Sequence, residues 1–489
     1  MDSDSYKFSH PKQYYKNMIS QYNYAEARRK EGFVIFNGLQ PILKKLEERI
    51  TIQDVNQAYE MSKIHGIPFD IDMWTYIADN LDGKLPMKIR AIPEGTKVPN
   101  GNVLFTVEST ITNNPILTSK VIGWTETMLM RVWYSCNVAT YSYKVKQVLM
   151  EYAKASQDNP FVDFQFINFG SRGSSSEESA MISGMAHLIL FQGTDTFNSL
   201  NYIMQNYPGT DMKKVGFSIP ASEHSTVTSF AGCSEDKFKG EMEFVNNFLE
   251  EFKNAPMIAC VADSYDYHNF VDKVTTFNET GIREKIEGDY PMFIIRPDSG
   301  NPKNIINDTL DIMEANKVKF TVNEKGFKVF DKYRIIYGDG IQMDSIKSML
   351  DVFVTRGYSS ENLSTGMGGG LVQGNSDVSN NRDTESFAIK CSNITVLKPI
   401  TTIDDPENRH NQFFIEDIEV FKDPKTDSSK KSKKGKVTTY YNEVTKEYFV
   451  DVVGKEFSNS KDILETVYEN GTVIKTYSFD EVRKNVGKI

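Results

Sequence analysis

At 489 residues the chain is long enough for two or three domains and for a core that needs no disulfide. Its 56 basic and 66 acidic residues leave a net charge of −10, which argues against a general nucleic-acid binder but leaves room for loops that hold a small anion. The 39% hydrophobic and 25% charged content is that of a soluble globular protein, and no apolar run nears the roughly 20 residues that cross a bilayer.

The opening MDSDSYKFSH is too polar for a secretory signal. Cys136, Cys233, Cys260 and Cys391 are scattered, without a CxxC pair, and read as reduced thiols. A cytoplasmic protein with no membrane partner is expected. Residues 1–160 mix helix and strand signals. The stretch 88–110 alternates and turns like a small β-unit, and 114–134 opens on Asn-Pro and carries helical apolar spacing.

From about residue 162 the texture changes. Short β-rich runs recur at 164–173, 213–225, 256–266, 291–300 and 333–340, each ending in Gly, Asp, Ser or Arg. Helix-like stretches such as 239–254 and 302–317 separate them. Strands alternating with helices predict an α/β fold with a parallel sheet, whose strand ends are where such folds build sites. The tail from 400 is more polar and holds the lysine run KTDSSKKSKKGK, by default a solvated loop.

The chemistry-bearing residues cluster at these strand ends. In RPDSGNP (296–302), Arg296 suits phosphate, and Asp298 suits ribose hydroxyls or a hydrated Mg²⁺. TGMGGGLVQ (365–373) lets backbone amides approach a phosphate, though it is neither a Walker loop nor a dinucleotide fingerprint. Asp263 and Asp298 could share Mg²⁺ with a diphosphate, or serve as the acid/base pair of a glycosidase; sequence leaves both open. Phe169 could stack on a planar ring and Arg172 could meet phosphate, against the plain alternative of a core Phe and a surface Arg. No His/Cys cluster has the spacing of a zinc site. A lone histidine is structural or exposed by default. His224 departs from that default because it follows a predicted strand, with Glu223 expected to orient or charge it. A neutral imidazole is a nucleophile, and beside phosphate-binding loops it could accept a phosphoryl group.

In order along the chain, DSYKFSH, FGSRGSSSEE, GTDT, PASEHST, DSYD, IIRPDSGNP, YGDG, MGGGLVQ, the KKSKKGK run and VIKTYSFDEVRKN resemble the nicotinamide phosphoribosyltransferase family, from residue 4 to 485. The resemblance implies a type II phosphoribosyltransferase fold: a β/α barrel-like catalytic domain over 161–390, and an α+β domain built from 1–160 and 391–489. It implies condensation of nicotinamide with 5-phosphoribosyl-1-pyrophosphate, with Mg²⁺, and ATP hydrolysis coupled through phosphorylation of His224. The alternative is a nicotinate phosphoribosyltransferase. The partners implied are these substrates, ATP and a second copy of the chain, with sites at the interface of a homodimer.

Carried over by motif, Phe169 and Tyr6, the latter from the partner chain, would sandwich the pyridine ring. Asp195 would accept from the carboxamide and disfavour nicotinate. Arg296 would contact the amide or the phosphate side. Asp298 would hold ribose, and Asp263 with Asp298 would organise Mg²⁺. Gly338, Asp339, Gly368, Gly369 and Arg382, with Arg172 nearby, would hold the 5-phosphate and ribose. Arg28, Lys390, Lys422 and Lys430 would contact pyrophosphate and ATP. Two stretches, 374–381 and 401–419, are longer here than in the family pattern.

Overall fold

The computed structural model describes residues 1–374, 379–399, 413–427 and 430–487. Residues 375–378 and 400–412, which hold much of the two longer stretches, lie outside these. The chain divides into two compact units: Met1–Thr140, Ile203–Thr210 and Asn380–Ile489 form one, and Tyr141–Tyr202 with Asp211–Ser379 form the other. The boundaries expected at 160/161 and 390/391 therefore fall instead at 140/141 and 379/380, and 203–210 joins the first unit.

In the first unit, the N- and C-terminal parts share a seven-stranded sheet. Its order is Phe413–Glu419, Phe387–Pro399, Met18–Ala27, Val103–Ser109, Met87–Ala91, Glu465–Glu469, Thr472–Val473. Antiparallel pairing of Met18 with Val396, and of Glu465 with Ala91, joins residues far apart in sequence. One apolar cluster that includes Tyr24, Phe36, Trp74, Phe105, Trp124 and Tyr468 forms its core. The region 88–110 is a small β-unit as expected, while 114–134 breaks into Pro115–Thr118, a 3-10 turn and Ile122–Met130.

The second unit is built on a parallel sheet. Its strands are β1 (Phe166–Asn168), β2 (Met257–Val261), β3 (Met292–Arg296), β4 (Tyr333–Tyr337) and β5 (Leu363–Met367), in the order β1-β5-β4-β3-β2. Parallel bridges close the ring: Ala221 with Ala259 on β2, Phe217 with Gly193, and Thr194 with Asn168 on β1. Alternate residues point inward, where Ala259, Ile294 and Ile336 pack with Ile167, Ile219, Met257 and Phe169. The other set, including Ile258, Cys260, Phe293, Ile295 and Ile335, is fully buried, as both faces of a parallel sheet are.

β5 has no counterpart among the expected strands. The run expected at 213–225 is reduced to bridges at Phe217 and Ala221, because Pro220 has no N–H for a ladder; its carbonyl accepts from Ala259 N at 2.9 Å.

Candidate active site

The carboxyl ends of these strands surround a cavity of about 860 Å³. Phe169, Arg172, Asp195, Glu223, Arg296, Asp298, Gly338, Asp339, Gly368 and Gly369 line it, all from the second unit. Helices follow most strands, so their positive N-terminal ends face the same mouth and favour an anionic ligand there.

Phe169 leaves β1 with its N–H bonded to Met367 O at 2.9 Å. Its ring packs against two glycines. A Cβ on Gly366 would stand 1.9 Å from the ring, and one on Gly338 would stand 3.1 Å away. Asn168 Oδ1 accepts from Gly170 N at 2.7 Å and sets the turn that presents Arg172. The same turn brings Gly173 against the Gly369 backbone, where a Cβ would meet it at 2.9 Å. Asp195 follows the Thr194 bridge, and Ser218 Oγ donates to its Oδ1 at 2.6 Å.

His224 is the first residue of the helix His224–Cys233. Its Nε2 stands 3.8 Å from Asp263 Oδ1 and 3.7 Å from Asp298 Oδ2, and its Nδ1 stands 3.0 Å from Ser264 Oγ. Asp263 is nearly buried, with a side chain 7% exposed. Its Oδ2 accepts from Asp298 N at 3.1 Å and from Ser299 Oγ, while its Oδ1 has no hydrogen-bond partner among the described residues. Arg296 ends β3, and its carbonyl accepts from Ala262 N at 3.0 Å, tying the β2 and β3 tips together. Arg296 Nε is also buried without a described partner. Tyr337 OH donates to Gly300 O at 2.8 Å and lashes the β4 tip to the loop after Asp298. Burial, followed by the charges of Asp339, Asp263 and Asp298, pushes its phenol up to about 12, so it remains a donor.

One expectation is corrected. Glu223 does not orient His224: its extended backbone caps the helix, and its carboxylate takes the Ser225 hydroxyl. Residues adjacent at a helix start do not face each other. The groups beside its ring are Ser264, Asp263 and Asp298 instead.

The remaining expected residues belong to the first unit. Tyr6 is 56% exposed on the 3-10 helix Ser5–Lys12, edge-on to His10 at 4.9 Å. Lys390 is held below its usual range by burial, although Glu126 pulls it up, and the charges of Arg28, Lys422 and Arg382 depress it further. These four cations thus form one positive cluster. Arg28 Nε is buried without a described partner, Arg382 pairs with Asp383 at 2.8 Å, and Lys430 pairs with Asp427 at 3.6 Å. Ser218, Ser264, Ser299 and Tyr337 escaped sequence reasoning, since serines and tyrosines carry no signal until the fold brings them to a partner.

Among the described residues, no three or more His, Cys, Asp and Glu form a metal-holding group. Asp263, nearly buried with one oxygen unpartnered among the described residues, and the partly exposed Asp298 are hard oxygen donors of the kind a Mg²⁺ takes alongside diphosphate and water ligands. No helix among the described residues is long and apolar enough to cross a membrane.

Residues 164–472 match the model of the nicotinate phosphoribosyltransferase (NAPRTase) family, and residues 1–89 match the N-terminal domain of nicotinamide phosphoribosyltransferase. A nicotinamide phosphoribosyltransferase of Xanthomonas campestris pv. campestris is 36% identical, over 99% of this chain and 97% of its own length. One from Acinetobacter baylyi is 29% identical, over 83% and 77%. Among solved structures, the nicotinate-nucleotide pyrophosphorylase of Pyrococcus furiosus aligns at TM-score 0.57 and 14% identity, covering 99% of this chain and 93% of that one. Human nicotinic acid phosphoribosyltransferase aligns at 0.56 and 13%, covering 100% and 93%. At those identities the structures speak for the fold alone.

Proposed function

The chain belongs to the nicotinamide phosphoribosyltransferase family and is a pentosyltransferase of NAD biosynthesis; from that premise we propose that it condenses nicotinamide with 5-phosphoribosyl-1-pyrophosphate, giving nicotinamide mononucleotide and pyrophosphate. The observation that carries this reading is the convergence of Phe169, Asp195, Arg296 and Asp298 on one cavity at the strand tips.

The pyridine nitrogen attacks the anomeric carbon as the bond to pyrophosphate breaks, through an oxocarbenium-like state. The protein's work is positioning and stabilising charge on the departing diphosphate. Phe169 offers a flat face for the ring, with Tyr6 of the partner subunit on the other side. Asp195, steadied by Ser218, keeps an oxygen for the carboxamide N–H and repels the carboxylate of nicotinate. Arg296 meets the amide or the phosphate side, and Asp298 holds ribose hydroxyls. Backbone amides at Gly338, Gly368 and Gly369, with Asp339 and Arg172, hold the ribose 5-phosphate. Asp263 and Asp298 would hold Mg²⁺, which neutralises diphosphate charge when bound. Arg28, Lys390, Lys422 and Lys430 serve pyrophosphate and ATP from the neighbouring subunit of a homodimer.

ATP couples through His224. An imidazole nitrogen attacks the γ-phosphorus, the bond to the β-phosphate oxygen breaks, and ADP leaves with the electron pair. The added phosphoryl group sits at the positive end of the helix His224–Cys233. Asp263 and Asp298 offset the positive charge that the ring acquires.

Assay of the purified protein with each base and 5-phosphoribosyl-1-pyrophosphate tests the reaction; a preference for nicotinate would overturn the substrate assignment. Transfer of ³²P from γ-labelled ATP to wild type, absent in His224→Ala, tests the coupling. Labelling that survives the substitution would refute it.

A further inference from the structure

We propose that Ser264 is a positioning residue for His224: its hydroxyl holds the imidazole in the rotamer that turns Nε2 toward Asp263 and Asp298. The proposal rests on the phosphohistidine reading above and adds to it the group that aims the ring.

His224 has little else to fix its ring. Its side chain is 45% exposed at the first position of a helix, where packing constrains a rotamer weakly. The contacts of Nε2 with the two carboxylates, at 3.8 and 3.7 Å, are beyond hydrogen-bond reach. The 3.0 Å contact between Nδ1 and Ser264 Oγ is the one hydrogen bond the ring makes among the described residues. Glu223, its neighbour in sequence, is occupied by Ser225.

Ser264 is well placed to act as a reference point. It follows Asp263 in the loop after β2, so one backbone segment sets both the hydroxyl and one of the two carboxylates. That segment is pinned on both sides. Asp298 N and Ser299 Oγ donate to Asp263 Oδ2, and Asp266 Oδ1 accepts from Asn269 N at 3.1 Å to cap the next helix, Tyr267–Thr275. A hydroxyl can donate or accept, so the bond serves either tautomer of the ring. Alanine would free the ring while leaving both carboxylates in place.

The test measures phosphoryl transfer from γ-³²P ATP to full-length wild type, Ser264→Ala and Ser264→Thr in single turnover, with ¹⁵N-histidine NMR of the same proteins. Ser264→Ala should cut the labelling rate at saturating ATP by roughly fivefold to tenfold, the size of one hydrogen bond, with half-saturating ATP little changed. Its His224 Nδ1 resonance should move toward that of a free imidazole. Ser264→Thr, which keeps the hydroxyl, should label within about twofold of wild type. A labelled wild type matched by an equally fast Ser264→Ala, with the His224 resonance unmoved, overturns the role of Ser264 and leaves the phosphohistidine standing. A wild type that takes no label overturns both.

Discussion

At the scale of single residues, charge decides what the cavity accepts. Asp195 presents a carboxylate to it, so Asp195→Asn should lower the preference for nicotinamide over nicotinate, read as the ratio of kcat/KM values, by about tenfold or more. Asp298 lies against both His224 and the Asp263 brace. Asp298→Ala should abolish measurable pyrophosphate formation while the far-UV spectrum and melting profile stay near wild type. Glu241 is a different case. It is fully buried, both carboxyl oxygens lack described partners, and burial with the charges of Asp266 and Asp263 pushes it up to about 7. The folded chain therefore keeps a proton there that the unfolded chain gives up near 4.5, and stability is lost as pH rises between those values, by up to about 3 kcal/mol. Glu241→Met should raise the melting temperature more at pH 8 than at pH 5; an equal gain at both would contradict this. The sequence alone pointed to Asp263, Arg296, Asp298 and His224, because each ends a β-rich run in a distinctive motif. Ser264 stayed hidden, since it lies 40 residues from His224 and only the closed ring of strands makes them neighbours.

At the scale of elements, Gly366 in β5 and Gly338 just past β4 explain how an aromatic ring comes to fit at the strand tips. Gly366→Ala would place a Cβ inside the Phe169 ring's contact surface and drive the ring off its seat. Steady-state assays should show KM for nicotinamide rising by about tenfold or more, with KM for 5-phosphoribosyl-1-pyrophosphate much less affected. The same glycine is why β5 was not legible. LSTGM lacks the apolar run that marks a buried strand, yet it lies between β1 and β4, with a glycine at 366 where a side chain would displace Phe169. The apolar β2, β3 and β4 showed in the sequence for the opposite reason: both faces are covered, so the run is unbroken.

At the scale of the molecule, the second unit supplies one part of the proposed machinery and the first unit the other. Tyr6 and the Arg28, Lys390, Lys422 and Arg382 cluster belong to the first unit. If a partner subunit completes each site, two inactive variants should rescue one another. Co-refolded Tyr6→Ala and Asp298→Ala chains should recover activity toward about a quarter of wild type, from mixed dimers holding one intact site; a mixture as inactive as its parents would contradict shared sites. The two-unit plan was partly legible, because the change of texture near 162 and the polar tail mark it. The exact boundaries and the 203–210 excursion were not, because a contact decides them and local composition does not change there.

The most direct measurement is a crystal structure of the protein with 5-phosphoribosyl-1-pyrophosphate and a non-reactive nicotinamide analogue bound. The expected result is the diphosphate beside Asp263, Asp298 and His224, with the pyridine ring flat on Phe169 within reach of Asp195. A sugar diphosphate bound away from the strand tips, or a ring not in contact with Phe169, would contradict it.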